Sequence, residues 1–208
     1  MKKKRIKVLM VAGSMHVGGI ENQLMHLARN VDKEKFQIDF TSTMSESACR
    51  EEIEQLGGDF LVIVKMNWKN PIPYCKTLYK IMKDGHYDVV HSHELFHSGI
   101  TLFIALLAGV PCRFVHAHNW RDDDGNGSKK SPLRIVYTRV MRKMICWCST
   151  KQIACSSWAG EFLYGKNTTK KNSYHLVFNS VDTAKFLDDY DNVEFGEYLE
   201  QDGWKKCN

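Results

Sequence analysis

Proline is scarce in this chain and glycine is not abundant, 4 and 14 of 208 residues, while aromatic residues make up 11%. That composition excludes collagen-like, low-complexity and disordered readings. No apolar run is long enough to cross a membrane, since the longest, Ile100 to Val110, is about half a span. The basic start, Met1 to Lys7, imitates the opening of a secretory signal. The apolar stretch behind it, Val8 to Ala12, is too short for one and runs into Gly13-Ser14-Met15-His16. Seven cysteines, odd in number and scattered, give no disulfide framework, and Cys146-x-Cys148 without a second pair is a poor zinc signal. A reduced, cytoplasmic compartment is expected.

Several signatures are also missing. There is no G-x-S-x-G elbow for a nucleophilic serine, no G-x-G-x-x-G and no P-loop. No basic face interleaved with aromatics points to nucleic acid. Net charge is only +5, which permits an anionic partner without demanding one. The charge is unevenly spread: Leu187 to Trp204 holds seven acids and no base, so +5 resolves into −7 there and +12 on the rest.

What the chain does have is alternation. Short β-rich apolar runs at Lys7–Ala12, Phe36–Thr43, Phe60–Val64, Tyr87–His91, Cys112–His116, Gln152–Cys155 and Tyr174–Phe178 are separated by helix-like segments. The intervening helices are expected from about Ile20, at Cys49–Leu56, Pro71–Lys83, Gly99–Ala108, from Pro132, and at Trp158–Tyr164. Ser131 reads as the cap of the fifth, with Leu133, Val136, Val140, Met144 and Trp147 as its apolar stripe. Cys155-Ser156-Ser157 reads as a strand end followed by a helix cap. Such alternation predicts an α/β, Rossmann-like three-layer sandwich with a mainly parallel sheet over residues 1 to about 180. Lys166–Lys171 reads as a surface linker.

Ligands of such folds bind outside the carboxyl ends of the strands, where four features fall. The turn Gly13-Ser14-Met15-His16-Val17-Gly18-Gly19 leads into the first helix, whose free N–H groups can meet a diphosphate; the alternative is a sharp turn with no ligand. Two H-x-H pairs, His91-Ser92-His93-Glu94 and His116-Ala117-His118-Asn119, each place two imidazoles on one strand face. Three uses are open for them: hydrogen bonding to a sugar or phosphate with one ring as general acid/base, a metal site, or structural satisfaction. A metallohydrolase would add aspartates on later strands, and none stand at those strand ends. The loop Asn119–Lys130 is either a substrate-closing flap or simply solvated. Lys129, Lys130, Arg134, Arg139, Arg142 and Lys143 around it face either anionic lipid or water.

Taken in order, Lys7–Glu21, Tyr87–His93, Gly109-Val110-Pro111, His116–Asn119, Ala154–Gly165 and Val177–Phe186 resemble the family 4 glycosyltransferases of the GT-B fold, capsular and exopolysaccharide type. The resemblance implies half of a two-domain enzyme: residues 1–182 as the acceptor-side domain, followed at 183–208 by an acidic stretch in place of the donor-binding domain. It implies retaining transfer of a sugar from a nucleotide-sugar co-substrate to a polysaccharide or lipid-linked glycan, with no cofactor and no bound metal, at the inner membrane face. In that picture Gly18 and Gly19, with His16, lie against the donor diphosphate. His116 or His118 contacts the transferred sugar, and His91, His93 and Asn119 line the substrate site. The usual turn glycine of the junction is Ser180 here. Two alternatives accompany this reading. One is a non-catalytic half that depends on a partner protein carrying the C-terminal domain, or an inactive truncation product. The other is a His-rich metallohydrolase.

Overall fold

The computed structural model describes residues 4–15, 18–119, 131–165 and 174–180. In chain order the elements are β1 (Ile6–Val11), α1 (Gly19–Asn30), β2 (Phe36–Ser42), α2 (Arg50–Gln55), β3 (Phe60–Val62), α3 (Ile72–Gly85), β4 (Val89–Ser92), α4 (Ser98–Ala108), β5 (Cys112–Ala117), α5 (Pro132–Cys148), β6 (Lys151–Ala154), α6 (Ser157–Tyr164) and β7 (His175–Leu176). The expected alternation is therefore realised almost element for element. The linker at Lys166–Lys171, the flap beyond Asn119 and the acidic stretch lie outside the described residues.

All seven strands are parallel, in the order β3-β2-β1-β4-β5-β6-β7. The winding reverses beside β1, where Met10 sits opposite Phe40 of β2 on one side and His91 of β4 on the other. That reversal opens a crevice above the carboxyl ends of β1 and β4. Side chains of the sheet alternate between two helical layers. Leu9, Val11 and Val90 pack with Tyr74, Leu78 and Met82 of α3 and Ala105 of α4. Val8, Met10 and Phe40 face Leu24, Met25 and Ile53 of α1 and α2. A third cluster joins Val115, Ala117 and Ala154 to Leu102, Met141, Ile145 and Leu163 under α4, α5 and α6. Each fully buried aliphatic side chain here contributes about 1.5–3 kcal/mol of transfer free energy.

Local chemistry sets the helix ends. Ser131 Oγ accepts from Arg134 N–H at 3.3 Å and Ser156 Oγ from Ala159 N–H at 3.2 Å, so both expected caps are made. Gly109 ends α4 at φ +83, where its N–H and that of Val110 return to the carbonyls of Leu106 and Ala105.

Of the apolar stripe expected for α5, only Met144 packs against the core. Leu133 is 84% exposed, Val136 59%, Val140 46% and Trp147 71%, whereas Met141, Ile145 and Cys148 are buried. The helix carries two apolar arcs, and close packing on α4 selects the smaller one. Gly99 of α4 lies so near that a Cβ there would meet Met141 O at 3.0 Å. Arg142 is not on the solvated face either. Its guanidinium donates to the carbonyls of Leu163 and Phe162 at 3.0 and 2.9 Å, satisfying the carboxyl end of α6.

Candidate functional site

β4 and β5 are neighbours in the sheet, with His91 opposite Phe114 and β5 running on through His116. The two H-x-H pairs therefore converge, as their spacing predicts. Ring centroids of His91 and His93 lie 4.2 Å apart, and those of His116 and His118 4.1 Å apart. Across the strands His91 stacks on His116 at 5.6 Å, and His93 lies 5.1 Å from His118. His93 Nδ1 and His118 Nε2 share a hydrogen bond of 2.9 Å, so one of these nitrogens carries the proton and the other accepts.

Burial dominates the electrostatics of this cluster. It pushes His91 and His116 down to about 3, with the neighbouring imidazoles adding to the effect. His118 is lowered to about 4 by burial, and His93 lies well below its ordinary value. All four rings are thus neutral near pH 7. A neutral imidazole donates one hydrogen bond and accepts another, which suits sugar hydroxyls. Charge pairing with a phosphate, or proton donation as a general acid near neutrality, does not fit rings held this low. Of the uses the sequence leaves open, the structure favours neutral hydrogen bonding over acid catalysis.

The rings line a cavity of about 240 Å³ whose opposite wall is α1, through Gln23, Leu24, His26 and Leu27. Val177 to Ser180 closes another side. There the Gln23 carboxamide clasps Ser180 through both of its backbone groups: Ser180 N–H donates to Gln23 Oε1 at 3.0 Å and Gln23 Nε2 donates to Ser180 O. The first half of the junction motif is thereby tied to α1. Asn119 is exposed and is not part of this wall. His16 lies outside the described residues.

Gly18 and Gly19 start α1 at the crevice, with no side-chain cap over the first N–H groups. Neither glycine is demanded by the fold. Gly18 has extended backbone, φ −159, and a Cβ on Gly19 would meet nothing within 4 Å. A Cβ on Gly18 would touch only the flexible end of Glu21. No side chain caps these N–H groups, so an anion reaches the positive end of the helix dipole once the flexible Glu21 carboxylate beside Gly18 swings aside. β1 and β4 are joined at this level, since His93 N–H donates to Val11 O at 2.9 Å.

Sequence reading missed a second hollow, of about 540 Å³, formed where β4 passes into α4. Glu94, quoted in the motif but given no role, is nearly buried there, its side chain only 6% exposed. Thr101 Oγ1 donates to its Oε2 at 2.6 Å, and Tyr74 approaches the same oxygen at 3.5 Å. Burial and then the Glu94 charge push the Tyr74 phenol up. Trp68 forms the rim, edge-on to Tyr137 at 5.3 Å and 5.8 Å from His97. Leu95 beside Glu94 is held at φ +53, a conformation that disfavours bulky residues. The signal available in the sequence was an acid directly after a histidine pair at a strand end.

Comparison with known proteins agrees with this architecture. The profile of Glycosyltransferase Family 4 matches residues 17–185. EpsF of Bacillus subtilis (strain 168) is 33% identical over 188 residues, 89% of this chain and 48% of that protein. The capsular polysaccharide biosynthesis glycosyltransferase CapH of Staphylococcus aureus is 25% identical over 190 residues, 91% of this chain and 51% of its own length. Among solved structures, a glycosyltransferase from Rickettsia africae superposes with a TM-score of 0.63 at 16% identity, covering 98% of this chain and 51% of that one. Anabaena Alr3699/HepE in complex with UDP gives 0.59 at 15% identity, covering 87% and 45%. The chain spans about half the length of these relatives, and its seven-stranded parallel sheet is one Rossmann-like half of the GT-B architecture. By the match over most of its length, the chain belongs to Glycosyltransferase Family 4.

Proposed function

We propose that this chain provides the acceptor-side half of a retaining glycosyltransferase, which moves a sugar from a nucleotide-sugar to a polysaccharide or lipid-linked glycan. The observation that carries the reading is the juxtaposition at the crevice. Four neutral imidazoles and a helix start with no side-chain cap, beside which only the flexible end of Glu21 lies, stand at the reversal of the sheet. Support also comes from the UDP bound by Alr3699/HepE. An Escherichia coli relative, 26% identical over 110 residues, points the same way by its name, UDP-Gal:alpha-D-GlcNAc-diphosphoundecaprenol alpha-1,3-galactosyltransferase.

In this reading the bond between the anomeric carbon and the diphosphate oxygen breaks, and an acceptor hydroxyl forms the new bond on the same face. The acceptor proton passes to the departing nucleoside diphosphate. The N–H groups at Gly18-Gly19 stabilise the charge that develops there. His116 or His118 hydrogen-bonds the transferred sugar, and the Trp68–Glu94 hollow receives the acceptor, an aromatic edge and a carboxylate being suited to sugar rings. No metal is assigned to the transfer step.

No helix among the described residues is long and apolar enough to cross a membrane. Peripheral membrane contact is supported instead by α5. Its outward face carries Leu133, Val136, Val140 and Trp147, flanked by Arg139 and Lys143, and the helix has no acid. Such a surface suits the inner face of an anionic bilayer.

The test is transfer by the complete protein that carries this chain. A panel of nucleotide-sugars is incubated with undecaprenyl-diphosphate-linked acceptors, and products are resolved by mass spectrometry and anomeric NMR. Transfer that retains anomeric configuration and is depressed by His118→Ala or His116→Ala is expected. Absence of transfer from every donor, or an inverted product, overturns the reading.

A further inference from the structure

His91, His93 and His116 meet across β4 and β5 more closely than hydrogen bonding to a sugar requires. Each offers one ring nitrogen such that the three atoms lie within 4.8 Å of one another. The Nε2 atoms of all three are buried and have no hydrogen-bond partner among the described residues. Leaving a buried polar atom unsatisfied costs about 1–3 kcal/mol. A single cation that accepts all three lone pairs removes those penalties together. We propose that His91, His93 and His116 form a binding site for one divalent metal ion of the zinc class.

The donor set selects the metal. Three neutral imidazoles with no carboxylate suit Zn²⁺, Co²⁺, Ni²⁺ or Cu²⁺ and not the oxygen-seeking Mg²⁺ or Ca²⁺. Zinc–nitrogen bonds of about 2.0–2.1 Å place tetrahedral ligand atoms about 3.4 Å apart. The rings therefore close by about 1.4 Å or less, which small side-chain rotations into the adjoining cavity allow. With three protein ligands the fourth position stays open towards that cavity, for water or a ligand oxygen.

The fourth histidine then has a role of its own. His93 Nδ1 already contacts His118 Nε2 at 2.9 Å. When His93 binds metal through Nε2, its Nδ1–H donates to His118, which fixes the tautomer and the ring plane. His118 is thus a positioning residue for the metal. The site shares His116 and its cavity with the proposed sugar contact, so with metal bound that contact falls to His118. Occupancy is nonetheless read without any glycosyl donor, and its failure is distinct from a failure of sugar transfer.

The chain, stripped of metal with a chelator, is titrated with Co²⁺ as a spectroscopic probe and with Zn²⁺ by calorimetry. One equivalent should bind, giving the strong visible bands of four-coordinate Co²⁺, which Zn²⁺ then displaces. His91→Asn and His116→Asn should each weaken Zn²⁺ binding at least tenfold, and His118→Gln roughly 10–100-fold. His86→Asn is the control, at the left-handed turn before β4, away from the cluster; it should bind as the wild type does. Histidine ring NMR of the unmutated chain identifies the liganding nitrogens if a variant fails to fold. No saturable binding, weakening by His86→Asn equal to that by His116→Asn, or ligand shifts on other histidines overturns the proposal.

Discussion

Acid should destabilise this domain well before its carboxylates titrate. The perturbation is a fall in pH from 7.5 to 5, and the sensors are the buried rings of His91, His116 and His118. An unfolded histidine titrates near 6.5, whereas in the fold His91 and His116 sit at about 3 and His118 at about 4. Between those values the unfolded chain binds protons that the folded chain does not. Stability is therefore greatest above about pH 6.5 and is lost, as pH falls, by about 1.4 kcal/mol per unit for each ring. At pH 5 one ring with a folded value of about 3 has cost about 2 kcal/mol. His118, whose folded value still lies below pH 5, costs about as much, so the three rings together remove about 6 kcal/mol, against a total of about 5–15 kcal/mol for a typical domain. The assay is a series of urea midpoints at half-unit pH steps from 7.5 to 5, with the chelated chain, beside NMR titration of the ring protons. His91→Gln should reduce the slope by about one proton. A flat profile down to pH 5, or ring resonances titrating near 6.5 in the folded chain, would refute the burial argument.

Three further expectations rest on other parts of the molecule. A Cβ at Gly58 would lie 2.0 Å from Ile38 O, in the backbone of β2, so Gly58→Ala should cost about 2–3 kcal/mol and lower the melting midpoint by about 5–10 °C in calorimetry. At Gly19, where a Cβ meets nothing, alanine should leave the midpoint within about 1 kcal/mol of wild type yet weaken nucleotide-sugar binding by titration calorimetry about tenfold, the equivalent of ~1.4 kcal/mol; unchanged binding removes the backbone from the donor site. Replacing the exposed Leu133 and Val136 by glutamate should abolish sedimentation with vesicles rich in anionic lipid and leave thermal stability unchanged, and equal binding to neutral vesicles would exclude a role for Arg139 and Lys143.

The sheet was legible because parallel strands buried on both faces are continuous apolar runs, and Val8 to Ala12 or Val89-Val90 cannot be satisfied otherwise. The histidine cluster was legible for a related reason: a period of two puts His91 with His93 and His116 with His118, and adjacent parallel strands bring the pairs to one rim. What local pattern does not contain is the choice between competing surfaces. α5 has an apolar arc through Leu133, Val136, Val140 and Trp147 and another through Met141, Ile145 and Cys148. The first is longer, yet the second is buried, because the approach of Gly99 to Met141 and the reach of Arg142 to the end of α6 fix the rotation of the helix. Those are contacts between elements 42 and about 20 residues apart in sequence, invisible to periodicity within one helix. The protonation state of the histidines was hidden for the same cause. It depends on how many neighbours exclude water from each ring, and four imidazoles gathered at one strand rim exclude it from one another. The residues that carry the chemistry were therefore visible one by one, while the property that decides their chemistry, neutrality at ordinary pH, arises only from their assembly.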